Sequence, residues 1–343
     1  MKFLLALAAL ARLCTVVAPT TTTMAAATMP PPRSTSRSKL SLHVGDVAGV
    51  DATVLAFLAA ARPRTLKLLD PRAGWAAAAL RASPGTELVG RIWTPSQPTD
   101  GDPRAAAAAW LNASRATILA SPEIRLWEGL NELPGTAGNR SLMRWYAAFE
   151  VERVALLAAT GGLRAVVGSF ATSDLEDLDP ATSTFAEFVP AARAAAAAGG
   201  YLSLHEYSSP FMWTCFSNST GVGRETGRYR TVYASFFLGA GLPPPPPLLL
   251  SEVGVGWAAT SCGGSGVVQG WQAYCAAWTA PGGAFPGETC EEAFVKQLAW
   301  YDSLLRADDF VVGATVFCQA CGSFGSFDTT PALSVLAAYM QDV

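Results

Sequence analysis

Ile124-Arg125-Leu126-Trp127-Glu128-Gly129-Leu130-Asn131-Glu132 begins as a short apolar run and ends on a carboxylate. Leu248-Leu249-Leu250-Ser251-Glu252 has the same form. Short, near-continuous apolar runs are expected of parallel strands buried on both faces. Working outward, such runs recur at residues 40–44, 65–69, 87–93, 124–130, 163–169, 201–207, 247–251 and 311–317. Between them lie stretches of helical character at 52–62, 73–82, 103–119, 142–159, 185–198, 228–238, 288–305 and 332–341, several rich in Ala, the strongest helix former. Gly161-Gly162 and Gly199-Gly200 suit helix C-termini, and the five prolines at 243–247 are a stiff approach to the seventh strand. Eight strands, each followed by a helix, imply an α/β fold of the (β/α)8 TIM-barrel type. An open doubly wound sheet is the alternative. No Gly-x-Gly-x-x-Gly turn follows the first strand, so a nucleotide-binding version lacks its usual mark.

The 343 residues and an apolar half of the composition are enough for one large core. The 24 basic and 27 acidic residues give a formal charge of −3, with no basic patch to suggest a nucleic-acid partner. Residues 1–18 read as a signal peptide: Lys2 precedes an apolar stretch that Arg12 breaks, too short to span a bilayer. A transit peptide is the alternative. Residues 19–38, rich in Thr, Pro and Ser, read as a disordered linker, and 39–343 as one catalytic domain. With Cys14 in the leader, six cysteines remain: Cys215, Cys262, Cys275, Cys290, Cys318 and Cys321. An even set in an exported chain fits disulfides, with the pairing left open. Asn112, Asn139 and Asn218 head glycosylation triplets. Secretion, no stable membrane insertion and a monomeric state are expected.

The two glutamates are the candidate chemical groups. In a barrel, strand ends four and seven face each other across the mouth, and carboxylates there can flank a glycosidic bond. Glu128 stands four residues before Glu132, which on a strand would put both on the same side. A buried Glu128 would need Lys67 or Arg91 as its partner. Those cations could equally hold Glu252 ionised. Trp93, Trp213 and Trp257 are candidates for stacking on apolar sugar faces. Two histidines and no acidic cluster give no metal pattern, and no cofactor is expected. Cys318-Gln-Ala-Cys321 reads as disulfide ends, and no Gly-x-Ser-x-Gly elbow is present.

Trp127-Glu128-Gly129-Leu130-Asn131-Glu132 resembles the acid/base strand of the retaining glycoside hydrolases of clan A. Leu250-Ser251-Glu252-Val253-Gly254 resembles their nucleophile strand, and His205-Glu206-Tyr207 the His-x-Tyr of family 5. The resemblance implies that Glu132 is the general acid/base and Glu252 the nucleophile. It implies that Asn131 bonds the sugar 2-hydroxyl, Tyr207 holds Glu252, and His205 lies beside the acid/base or the substrate. Three features depart from family 5. No His follows strand three, Phe317-Cys318-Gln319 replaces the strand-eight Trp, and Lys67 and Arg91 stand in for the strand-two Arg. A distant branch is implied. The expected activity is retaining hydrolysis of a β-linked polysaccharide of glucan or mannan type, endo-acting. An exo-β-glycosidase, a transglycosylase and an inactive carbohydrate-binding barrel are the alternatives.

Overall fold

The structure is a computed structural model that describes residues 37–45, 49–172, 174–175, 177–256 and 267–343. Of two compact units, Met1–Pro31 and Pro32–Val343, all described residues belong to the second. The leader, the linker up to residue 36, Cys262 and Trp257 lie outside the described residues. Ser38, expected to end the linker, is instead buried, and its hydroxyl accepts the Leu40 N–H.

Eight parallel strands close into a barrel: β1 Leu40–Val44, β2 Thr65–Leu69, β3 Glu87–Arg91, β4 Leu126–Glu128, β5 Arg164–Phe170, β6 Tyr201–Ser208, β7 Leu248–Val255 and β8 Val311–Gln319. The TIM-barrel expectation is met. Helices α1 Ala52–Ala61, α2 Trp75–Ala82, α3 Pro103–Ala120, α4 Arg140–Ala159, α5 Val189–Ala197 and α6 Arg228–Phe236 follow the first six strands. The seventh connection holds α7 Cys275–Thr279 and α8 Cys290–Ala307, and α9 Leu333–Asp342 closes the chain. The helix expected over 185–198 is split into a single 3-10 turn, Thr184–Glu187, and α5. Pro190 is the reason: it has no N–H, so it fits only the first turn of a helix. A disulfide joins Cys275 to Cys290 and another joins Cys318 to Cys321, and Cys215 is disulfide-bonded as well. No helix among the described residues is long and apolar enough to cross a membrane.

Strand alternation sorts the side chains into two layers. Outward residues such as Leu40, Leu42, Leu66 and Val167 join the main core against the helices. Inward residues Val89, Leu126, Val166 and Leu249 form a separate small apolar cluster, the floor of the barrel interior. Toward the C-terminal ends of the barrel strands the inward residues are polar: His43, Lys67, Arg91, Glu128 and His205. The site therefore sits toward the C-terminal ends of the strands, above a dry floor.

Short β4 is held from outside by α4. Arg153, fully buried, pairs with Glu150 at 2.7 Å and donates to Trp127 O at 2.9 Å and Val166 O at 2.6 Å. Gly129 passes close beneath this pair, where a Cβ would meet Arg153 Nε at 2.5 Å. Burial raises the Glu150 carboxyl pKa, and Arg153 opposes that rise. Replacing Arg153 by Met should take the cation from a buried carboxyl and one donor from each of two strand carbonyls. A loss of roughly 3–5 kcal/mol is expected in denaturant unfolding. A loss under about 1 kcal/mol would show that the pair does not anchor β4.

Candidate active site

Glu252 lies inside β7, three residues before its end, not just past it as the sequence suggested. Its direction comes from a bulge. Leu250 pairs with Leu204, but the next pair is Glu252 with His205, so Ser251 is an extra residue. Leu250 and Val253 pack in the outer core, while Ser251 and Glu252 both reach interior groups. A bulge re-aims side chains in this way. Without it, strict alternation would put Ser251 inside and Glu252 outside.

The Glu252 carboxylate is only 7% exposed and is gripped on both oxygens. Oε1 receives Lys67 Nζ at 3.1 Å and Arg91 Nη1 at 3.1 Å. Oε2 accepts the Tyr207 hydroxyl at 2.9 Å. Burial alone would raise this carboxyl, yet nearby positive charge holds it well below the usual carboxylate range. His43 lies 3.6 Å from Oε1, and burial and Lys67 push its imidazole well down, so it is neutral. The fixed cations Lys67 and Arg91 are therefore the lasting source of the field, with His205 on the other side. Burial, then the Glu252 charge, raise the Tyr207 phenol well above its ordinary value and keep it a donor.

Glu132 is mounted differently. β4 stops at Glu128, and Glu132 sits four residues later in a turn with φ of 45°. Such a conformation costs a non-glycine residue roughly 1–2 kcal/mol. It is pinned by its own N–H, which donates to Ser169 O on β5 at 2.9 Å. Strand alternation thus does not relate Glu128 to Glu132, contrary to the sequence expectation. Glu128 is buried in the barrel, 2.9 Å from Lys67. Glu132 is 22% exposed, and its Oε1 lies 2.7 Å from His205 Nδ1. His205 Nε2 lies 3.2 Å from Ser251 Oγ, which is 2.7 Å from Ser203 Oγ. A hydrogen-bonded chain thus runs from β7 through β6 to Glu132.

The structure brings Glu132, Glu252, His205, Tyr207, Lys67 and Arg91 together. One ligand atom from each of Glu132, His205 and Glu252 lies within 4.8 Å of the others. These three could offer a metal two oxygens and a nitrogen, but Lys67 and Arg91 already occupy Glu252 Oε1 and oppose a cation there. Asn131 Oδ1 is buried with no hydrogen-bond partner among the described residues. Asn131 lines a cleft of about 150 Å³ with Arg91, Ile92, Trp93, Gln97 and Gly129. Trp93 is 57% exposed there, and its backbone N–H donates to Asp70 Oδ1 at 2.8 Å.

Trp213 is half-buried in the loop after β6. It stacks on Phe211 at 5.4 Å, meets Phe285 and Trp300, and packs on the main core, as a loop anchor does. Two groups near the carboxylates were not anticipated. His43 faces inward beside Lys67, which the alternation Leu40-Ser-Leu-His-Val could have revealed. Glu206 faces outward between His205 and Tyr207, accepting Gly227 N–H, Tyr229 N–H and the Tyr301 hydroxyl. It ties β6 to the start of α6, and burial raises its pKa to about 7.

The chain belongs by architecture to the (β/α)8 barrels, and solved glycoside hydrolases share that architecture. A family 39 glycoside hydrolase from the gut symbiont Bacteroides cellulosilyticus WH2 superposes with a TM-score of 0.53 at 11% identity, over 89% of this chain and 64% of that one. A family 2 β-galacturonidase from Eisenbergiella tayi gives 0.52 at 12% identity, over 90% of this chain and 52% of that one. A family 5 xyloglucan-specific endo-β-1,4-glucanase from a metagenomic library gives 0.50 at 12% identity, over 90% of this chain and 97% of that one. At these identities the likeness is one of fold. No protein-family model and no curated protein matches the sequence.

A depressed carboxyl stabilises the fold above its unfolded pKa, and that contribution is lost as pH falls through the folded value. For Glu252 the loss should begin as pH falls through about 4.5, where the unfolded carboxyl takes up its proton, and continue well below that value. Arg91→Met removes one of the two fixed cations. Between pH 6 and about 2 the fall in melting temperature should then be smaller than in the wild type and level off at a higher pH. Superimposable profiles would mean that Arg91 does not help hold Glu252 ionised.

Proposed function

We propose that the protein is a secreted, monomeric retaining β-glycoside hydrolase that cuts a β-linked polysaccharide of glucan or mannan type internally. The observation that carries this reading is the pair of carboxylates whose oxygens lie within 4.8 Å, one locked between cations and the other beside His205. Retaining enzymes place the two carboxyl groups about 5–5.5 Å apart, whereas inverting ones leave about 6.5–9.5 Å for a water.

In this reading Glu252 attacks the anomeric carbon while Glu132 gives its proton to the departing glycosidic oxygen. The C–O bond to the leaving sugar breaks, and a glycosyl ester forms on Glu252. Glu132, now a carboxylate, takes a proton from water, whose oxygen displaces Glu252 and restores the original anomeric configuration. Tyr207, Lys67 and Arg91 orient the nucleophile. The unpartnered Asn131 Oδ1 accepts the 2-hydroxyl, and the open Trp93 face stacks on a neighbouring sugar. Disulfides at Cys275–Cys290 and Cys318–Cys321 fit an oxidising compartment and support export.

Purified protein should release reducing ends from a β-glucan or β-mannan. Glu132→Ala should lower turnover by about 100- to 10,000-fold, the usual share of general acid–base catalysis. Azide should restore activity in that variant and yield a β-glycosyl azide, whereas Glu252→Ala with azide should yield the α anomer. Proton NMR of the first-formed product decides the stereochemistry. An inverted product from the wild type, or full turnover by Glu252→Ala, would sink the reading.

A further inference from the structure

Asn131 and Glu132 lie on a turn with no strand neighbour on the β3 side, because the β3–β4 ladder stops at Gly90 and Trp127. One side chain fills that place. Gln97, from the connection after β3, accepts the Asn131 N–H on its Oε1 at 2.6 Å and donates its Nε2 to Asn131 O at 2.6 Å. Its amide thus copies the two-bond exchange of a neighbouring strand, at a point where no strand is present. On the opposite side the Glu132 N–H meets Ser169 O of β5 at 2.9 Å. The turn is clamped from both flanks, and between the clamps Glu132 keeps its φ of 45°. A strained conformation of this kind persists only where its surroundings over-determine it.

We propose that Gln97 is the positioning residue of the acid/base turn: it fixes Asn131 and Glu132 to the loop that carries Trp93. It does so without touching the reacting atoms, since both ends of its amide are spent on Asn131 backbone. Gln97 and Trp93 line the same cleft. The loop that meets the sugar at Trp93 is therefore also the one that sets the direction of Glu132. The catalytic part of this inference rests on the acid/base role proposed for Glu132; the mechanical part does not.

Gln97→Met keeps the length and packing of the side chain and removes both hydrogen bonds. Hydrogen–deuterium exchange of peptides covering residues 126–133 tests the clamp directly. Exchange there should speed up at least about tenfold, while peptides from β7 and α8 stay at the wild-type rate. Unchanged exchange over 126–133, or a global increase, would overturn the proposal.

Kinetics test the consequence. Glycosylation of a 2,4-dinitrophenyl β-glycoside needs no proton from Glu132, whereas a phenyl β-glycoside of the same sugar does. The ratio of kcat/KM on the phenyl substrate to that on the dinitrophenyl substrate should fall about tenfold or more in Gln97→Met, in the direction of Glu132→Ala. A merely structural loss would lower both substrates alike, and that result would overturn the positioning role. If Glu132→Ala leaves the ratio unchanged, the acid/base assignment fails, and the exchange experiment still decides the clamp.

Discussion

A buried ammonium ties the upper half of the barrel together. Lys67 Nζ, with no exposure at all, lies 2.9 Å from Glu128 on β4, 3.1 Å from Glu252 on β7 and 3.2 Å from Ser251 O. Two carboxylates sharing so small an interior repel each other. Each ion withdrawn from water also costs several kcal/mol unless it is closely matched. Lys67 meets both demands from a strand that adjoins neither partner strand. Arg91 adds the second cation, so that Lys67, Arg91, Glu128 and Glu252 balance two against two. His43 is neutral because it is buried and Lys67 is already there. The neighbouring strands therefore depend on this quartet for more than packing.

Two departures from regular backbone aim the two carboxylates of the site. The bulge at Ser251 turns Glu252 inward, and the left-handed turn at Glu132 brings a residue beyond the end of β4 back over the mouth. Below both, Val89, Leu126, Val166 and Leu249 obey strand alternation and form a dry floor. The floor excludes water from beneath the ions, which strengthens their mutual attraction.

The barrel was legible in the sequence because strands buried on both faces must be apolar nearly throughout, and β1 and β2 begin and end where their runs do. Glu132, Glu252, His205 and Tyr207 were legible as residue types in short motifs. Their geometry was not. Periodicity alone places Glu128 and Glu132 on one side and has no term for a turn that leaves the ladder at Gly129. It has none for a bulge either, so Glu252 looked like a strand end. Gln97 was invisible for another reason. It acts through its amide on backbone atoms 34 residues away, and backbone atoms carry no sequence signal. Trp213 was legible as a loop aromatic, but not the packed surroundings that Phe211, Phe285 and Trp300 give it.

The two carboxylates differ most in how they are held, and the difference suits the roles proposed for them. A nucleophile must stay ionised and must not wander, since attack on the anomeric carbon tolerates little displacement. Glu252 is within a barrel strand, nearly buried, with cations on one oxygen and a phenol on the other. An acid/base must first meet a leaving group and then a water, so it needs an opening. Glu132 is on a turn, about a fifth exposed, and its own carboxylate touches His205. Rigidity is supplied to it through the backbone instead, by Ser169 on one flank and Gln97 on the other. The side chain is left free to face two successive partners while the main chain beneath it is fixed.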